Sequence, residues 1–310
     1  MSTNPNTETT ACCTPASDSS ACCDPAAKAK AIAEGASCCG SANAEEVALL
    51  EGGADDVRTL VRRRYGAIAE GASSGAGCCG GPSSAAEVLA QVGYSADQAA
   101  AIPEGANLGL GCGNPIAHAA LKPGETVLDL GSGGGIDCFL ASREVGSGGR
   151  VIGVDMTPAM VERARDNAKR GGYANVEFRL GEIEHLPVAD GSVDAILSNC
   201  VVNLSPEKAQ VFREAYRALR PGGRMLLSDL VWTRELPAET RHNVDLYCGC
   251  VAGASLKSDY LALIREAGFH DVEVVSESGY GVGAETLPEH SVEREAFASV
   301  VSVKVRALKR

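Results

Sequence analysis

VLDLGSGGGIDC, residues 127–138, sets a short apolar run directly against five turn-forming residues, Gly131 to Gly135. Val127 to Leu130 suits a buried parallel strand, and Ile136 to Ala141 is apolar and compatible with a helix. A glycine-rich turn between strand and helix lets a ligand approach bare backbone, where the amides of the helix N-terminus face it. That points to a nucleotide-like cofactor, against the plainer alternative of a turn that binds nothing. The glycines fall as G-x-G-x-G at 131, 133 and 135, and Ile136 occupies the last glycine position of the dinucleotide pattern. Working outward, RVIGVD (150–155) ends on an acid about twenty residues after the loop, where a carboxylate can accept both ribose hydroxyls. Asp155 would serve equally as a cap for a helix opened by Pro158. A dehydrogenase would share these features, so they argue for adenosine and leave the reaction open.

The flanking sequence alternates as a doubly wound α/β sheet does. Strands are expected near 126–130, 150–155, 176–180, 193–199 and 224–229, with helices near 135–144, 158–171 and 206–219. Helices at Glu239–Cys250 and Ser258–Ala267, then strands near 271–276 and 297–307, would complete a seven-stranded Rossmann-like sheet with an antiparallel hairpin at its edge. Such sheets bind ligands at the carboxyl ends of the first strands. Upstream, short helices are expected at Asp55–Tyr65, Ser84–Val92 and Ser95–Ala101.

With 310 residues, 45% hydrophobic but 4% aromatic, the chain can bury a full core and carry an appendage. A net charge of −12 argues against a general nucleic-acid surface. No apolar run approaches a membrane span and the polar start lacks a signal pattern, so a cytoplasmic protein with reduced cysteines is expected. Eight of the thirteen cysteines precede Gly80 as vicinal pairs: Cys12-Cys13, Cys22-Cys23, Cys38-Cys39 and Cys78-Cys79. The segment AIAEGASCCG from Ala31 is echoed from Ala67. The expected division is a low-complexity, unstructured tail over 1–54, a helical region over 55–115, a cofactor-binding core over 116–235 and a C-terminal acceptor-site region over 236–310.

Five cysteines remain: Cys112, Cys138, Cys200, Cys248 and Cys250. Cys200 follows Ser198-Asn199 at the carboxyl end of the fourth strand. Cys112 sits in the turn-rich GLGCGNP ahead of the first strand, and Cys250 lies in YCGCVAGA after the fifth. Each is on an element that could line one rim, although spacing alone does not bring them together. Cys138 reads as a small buried hydrophobe. Cys248 could form a Cys-x-Cys soft-metal site with Cys250.

PEGANLGLGCGNP (103–115), VLDLGSGGGIDC (127–138), GVDMTPAMVERAR (153–165), GEIEHLPV (181–188), SNCVVNLSPEK (198–208) and GCVAGA (249–254) resemble, in that order, the motifs of S-adenosylmethionine-dependent arsenite methyltransferases, within the class I methyltransferase superfamily. The resemblance implies metalloid binding by Cys112, Cys200 and Cys250. It implies donor contacts from Asp129, Gly131, Ser132, Gly133 and Gly135, from Asp155 and Met156, from Glu182 and Ile183 beside the adenine, and from Asn199. It also implies a thiol reductant, glutathione or thioredoxin, with As(III) or its thiol conjugates as substrate. Cys78-Cys79 matches the family's N-terminal cysteine region, for substrate capture or electron relay. Thiolates select soft, thiophilic ions, and three of them would hold As(III) with its lone pair opposite the sulfurs. The competing expectations are a methyltransferase for an organic small molecule, with structural cysteines, and a soft-metal sequestration protein. His185 and the run Arg62-Arg63-Arg64 read as solvated side chains.

Overall fold

The computed structural model describes residues 43–71, 85–281 and 291–310. Cys78, Cys79 and the three vicinal pairs before residue 40 lie outside the described residues. Five helices precede the sheet: α1 (Ala44–Leu50), α2 (Ala54–Ala69), α3 (Ala85–Gln91), α4 (Ala96–Ala101) and α5 (Ile116–Ala119). The core follows as β1 (Thr126–Leu130), α6 (Ile136–Val145), β2 (Arg150–Asp155), α7 (Pro158–Gly171), β3 (Val176–Leu180), β4 (Val193–Asn199), α8 (Lys208–Ala218) and β5 (Leu219–Trp232). The chain closes with α9 (Ala238–Arg241), α10 (Val244–Cys248), β6 (Ser255–Leu256), α11 (Lys257–Glu266), β7 (His270–Gly279), α12 (Val292–Ala298) and β8 (Val300–Leu308).

The main path of the sheet is β3-β2-β1-β4-β5-β8-β7, with the short β6 paired to β5. β8 runs antiparallel between β5 and β7, and the other pairs are parallel. This is the expected seven-strand arrangement with one short addition. β4 (VDAILSN) is buried along almost its whole length, as a strand covered on both faces must be. Phe212, Tyr260 and Ile264 from α8 and α11 pack on one face, while Phe139, Val161 and Phe178 pack on the other. Each such buried side chain contributes about 1.5–3 kcal/mol. Strand order reverses at β1, whose neighbours are β2 and β4, so a crevice opens at their carboxyl ends.

Four expectations are corrected. Residues 44–50 are helical although they fall in the segment expected to be unstructured. Asn43 and Glu46 form a capping box, and Arg63 and Arg64 of α2 pair with Glu45 and Glu46. The arginine run is therefore a solvated face only in part: Arg63 stays exposed, whereas Arg64 also reaches Asp245 and Arg62 reaches Glu182. The helix expected over 239–250 is two short helices, because Asn243 caps the second through Leu246 N–H. The last strand starts at Val300 because Phe297 and Ala298 finish α12. Among the described residues, no helix is long and apolar enough to cross a membrane.

Candidate active site

The crevice has a cradle on one side. Gly131, Gly133 and Gly135 adopt φ of 65°, 50° and 97°, and Ser132 N–H donates to Val154 O at 3.0 Å, which pins the loop to β2. Asp155 stands opposite: Oδ2 accepts Gly133 N–H at 2.9 Å and Oδ1 accepts Thr157 N–H at 2.8 Å. Burial pushes its carboxyl above the usual range, and the two amides act the other way. A carboxylate has about four acceptor sites, so Asp155 keeps capacity for a diol. A Cβ built on Gly133 would meet nothing within 4 Å, so the space before the loop is open. The buried Ser132 hydroxyl, which lies against Gly153 of β2, has no hydrogen-bond partner among the described residues. The cradle thus fits the ribose of an adenosine cofactor.

The other expected donor contacts are placed unevenly. Asp129 is buried under the loop and accepts the Cys138 thiol at 3.2 Å. Burial beside Asp129 and Asp137 raises the Cys138 thiol well above its ordinary range, so its place in the first turn of α6 does not acidify it. The Glu182 carboxylate, partly exposed, reaches Arg62 of α2 at 3.2 Å. Ile183 packs in the core, and Met156 packs beside the cluster that holds Cys112 and Cys250.

Across the crevice, the structure brings Cys112, Cys200 and Cys250 together. The Sγ atoms of Cys112 and Cys200 and a carboxylate oxygen of Asp229 lie within 4.8 Å of one another. Cys250 Sγ donates to Cys200 O at 2.9 Å, and the thiols of Cys112 and Cys250 both neighbour that of Cys200. Burial raises the thiols of Cys112 and Cys200, so both stay neutral at physiological pH. Cys200 and Cys250 hold positive φ, 59° and 64°, which side-chain-bearing residues rarely adopt. Cys250 directly follows the C-cap of α10, a left-handed position usually filled by glycine. Gly113 lets the Cys112 loop lie flat on β5, since a Cβ there would fall 1.9 Å from Ser228 Oγ. Tyr65, Tyr247 and Tyr280 pack around the cluster. The Cys248 thiol, raised to about 12 by burial, is influenced by Arg64, Cys250 and Asp245.

Asn199 joins the two sides. Its Oδ1 accepts Cys112 N–H at 3.1 Å, and its Nδ2 donates to Gly113 O, Tyr94 Oη and Asp137 Oδ2. Tyr94 O–H donates to Asp137 Oδ1 at 2.7 Å. Burial lifts the Asp137 carboxyl to about 6, against those two hydrogen bonds. The first turn of α6 is thereby tied to the Cys112 loop. Tyr94, Asp137 and Asp229 were not legible as site residues; the one available signal was the position of Asp137 two residues past the last loop glycine.

Known proteins resemble this arrangement. The family described as "Methyltransferase domain" matches residues 121–268. An arsenite methyltransferase of Halobacterium salinarum is 46% identical over 280 residues, covering 86% of this chain and 70% of the relative. The human arsenite methyltransferase is 41% identical over 152 residues, covering 46% of this chain and 40% of its own. The crystal structure of an arsenic(III) S-adenosylmethionine methyltransferase from Chlamydomonas reinhardtii superposes with a TM-score of 0.56 at 36% identity, over 74% of this chain and 75% of that one.

Proposed function

The chain belongs to the family of arsenite methyltransferases, and from that premise we propose that it moves methyl groups from S-adenosylmethionine to trivalent arsenic held by Cys112, Cys200 and Cys250, in arsenic detoxification. The observation that carries the assignment of the thiols is their convergence from three distant segments beside the adenosine cradle.

The three cysteine thiols and As(OH)3 condense to a tris-thiolate with release of three waters. The trigonal-pyramidal product carries its lone pair opposite the sulfurs. When bound, S-adenosylmethionine supplies an electrophilic methyl group on a sulfonium for that lone pair. Asp155 and the open face of the glycine loop at Gly133 would hold the adenosine end. Asn199 keeps the Cys112 loop in register with α6, and the left-handed turns at Cys200 and Cys250 set the directions of their thiols. Proximity and orientation then supply most of the acceleration. No base need deprotonate arsenic.

Uptake of the methyl group formally oxidises arsenic, so another cycle requires two electrons, which two thiols supply by joining as a disulfide. Glutathione or thioredoxin is the external reductant in this scheme. Cys78-Cys79, outside the described residues, is assigned capture of arsenic or relay of those electrons. Mass spectrometry for methylated arsenic, with purified protein, arsenite, glutathione and S-adenosylmethionine, tests the activity. Tight NAD binding without S-adenosylmethionine binding would sink it. Cys78→Ser/Cys79→Ser should slow turnover when external thiol is limiting, and equal rates at all thiol concentrations would remove the relay.

A further inference from the structure

A cavity of about 460 Å³ is lined by Cys112 but by no residue of the glycine loop. Two cross-strand pairs of β7 and β8 line it as well, Ser276 with Lys304 and Ser278 with Ser302. Alternation along a strand puts all four on one face, so an ammonium and three hydroxyls share one patch of sheet. His118 adds a further polar group from α5. The methyl transfer described above uses none of these side chains.

Lys304 carries the charge of the patch. It is 9% exposed in a chain of net charge −12, yet among the described residues no carboxylate forms an ion pair with it. The titratable groups that act on it are the thiols of Cys112 and Cys200, which burial keeps neutral. Its Nζ donates to Ser302 Oγ at 3.0 Å, which leaves donors unused. The stem lies against the Cys112 loop, where a Cβ on Gly113 would fall 2.7 Å from Lys304 Cε. Ser302 Oγ donates onward to Cys112 O at 2.6 Å and braces the same loop. A buried cation without a counter-charge is costly, and a void beside it offers no packing to offset that cost. An anion in the cavity would neutralise the ammonium and fill the space. Donors from two strands and a helix suit an acceptor whose oxygens surround a tetrahedral centre better than a planar carboxylate.

We propose that this cavity is a site for a small tetrahedral oxoanion, held by Lys304, Ser276 and Ser302 beside Cys112. Two sources share that chemistry: inorganic phosphate from solution, and a pentavalent methylated arsenical such as methylarsonate. The second source alone rests on the arsenic-methylating activity proposed above.

The probes are inorganic phosphate and methylarsonate, each titrated by calorimetry into the full-length chain. Wild type should bind at least one, and Lys304→Met should weaken that binding about tenfold or more, as loss of a hydrogen bond to a charged group does. Lys304→Arg, which keeps the charge, should retain part of the affinity, and uncharged trimethyl phosphate should not bind. Ser276→Leu, which fills the cavity from the other strand, should weaken binding as well and covers the case in which Lys304→Met does not fold. Binding of neither anion by wild type at about 10 mM, or equal affinity in wild type and the folded variants, would overturn the site. Thermal melting gives a second readout. Without anion, Lys304→Met should melt no lower than wild type, since it buries no unpaired charge. Saturating anion should raise the melting temperature of wild type and leave that of Lys304→Met nearly unchanged. A Lys304→Met chain that melts well below wild type without anion would show that the fold itself needs the lysine, and would overturn its assignment to a ligand. Methylarsonate bound at least about tenfold more tightly than phosphate assigns the site to the arsenical, and the reverse order assigns it to phosphate. The titrations need neither arsenite nor methyl donor. Lys304-dependent phosphate binding in a chain that cannot methylate arsenite would therefore leave the site standing and remove the activity.

Discussion

At the glycine loop the backbone turns left-handed at Gly131, Gly133 and Gly135, residues with no Cβ to strain. At the acceptor rim it turns left-handed at Cys200 and Cys250, where a side chain makes the same conformation unfavourable by about 1–2 kcal/mol each. One region uses the residue that its backbone prefers. The other keeps a residue that its backbone does not prefer, a conformation that Ala120 and Asp271 share elsewhere in the chain. The donor cradle is also built from neighbours in sequence, whereas the rim is assembled from positions 112, 200 and 250.

The largest effect that would sharpen this contrast is loss of a rim thiol. Cys200→Ser should lower arsenic methylation by about a thousandfold or more, roughly 4 kcal/mol, since a hydroxyl is too hard to replace the thiol. Donor binding should survive, because Cys200 makes no contact in the cradle. Cys112→Ser and Cys250→Ser should also impair turnover, while Cys138→Ser and Cys248→Ser should be mild. Near wild-type turnover in all five would break the distinction between the two regions.

On the donor side, Asp155→Ala should weaken S-adenosylmethionine binding by about 1.5–3 kcal/mol, the range for a charge-assisted hydrogen bond. Calorimetric titration measures it. An unchanged affinity would mean that Asp155 serves only the amides of Gly133 and Thr157.

The link between the regions is testable through pH. Asp137 has an unfolded value near 3.8 and a folded value of about 6, raised by burial. Folding therefore favours its protonated form, and the associated stability is present at low pH and lost as pH rises through 6. Asp137→Asn has no such charge to bury. Its stability relative to wild type should rise by about 1–2 kcal/mol between pH 5 and pH 8. Denaturation curves of both proteins across that range provide the check, and a flat difference would remove the buried carboxylate as the cause.

Local physics accounts for what was legible beforehand. β1, β2 and β4 announce themselves as apolar runs because parallel strands are covered on both faces, and the loop glycines are visible as glycines. Asp155 follows from its distance to that loop. The three thiols emerged from motif resemblance and not from spacing, since residues so far apart meet only after the sheet is wound. The contacts of Asn199 with Tyr94 and Asp137 cross up to 105 positions and leave no periodic trace. The ion pairs that join Glu182 to α2 were hidden for the same reason: an arginine run looks alike whether it meets water or four acidic partners. Lys304 sits on a strand whose alternation could be read, yet that no carboxylate among the described residues pairs with it is a property of the folded surroundings.

The smallest effect bears most directly on the contrast between glycine and cysteine. Replacing Cys200 removes the thiol in any case, so Cys200→Gly and Cys200→Ala should both fail to methylate arsenic. Their stabilities should differ in an unusual direction. In a helix or strand interior, alanine is more stable than glycine by about 0.5–1 kcal/mol, because glycine loses more backbone freedom on folding. At φ 59° the Cβ of alanine meets the left-handed penalty, which outweighs that entropic term, so glycine should be the more stable by about 1 kcal/mol. Side-chain burial lost from the parent is nearly the same in both variants and largely cancels in the comparison. Urea denaturation of the two, with matched m-values, measures the difference. Alanine equal to or more stable than glycine would mean that the backbone at position 200 relaxes once the thiol is gone. The left-handed turn would then be imposed by the thiol's own contacts rather than by the path of the chain.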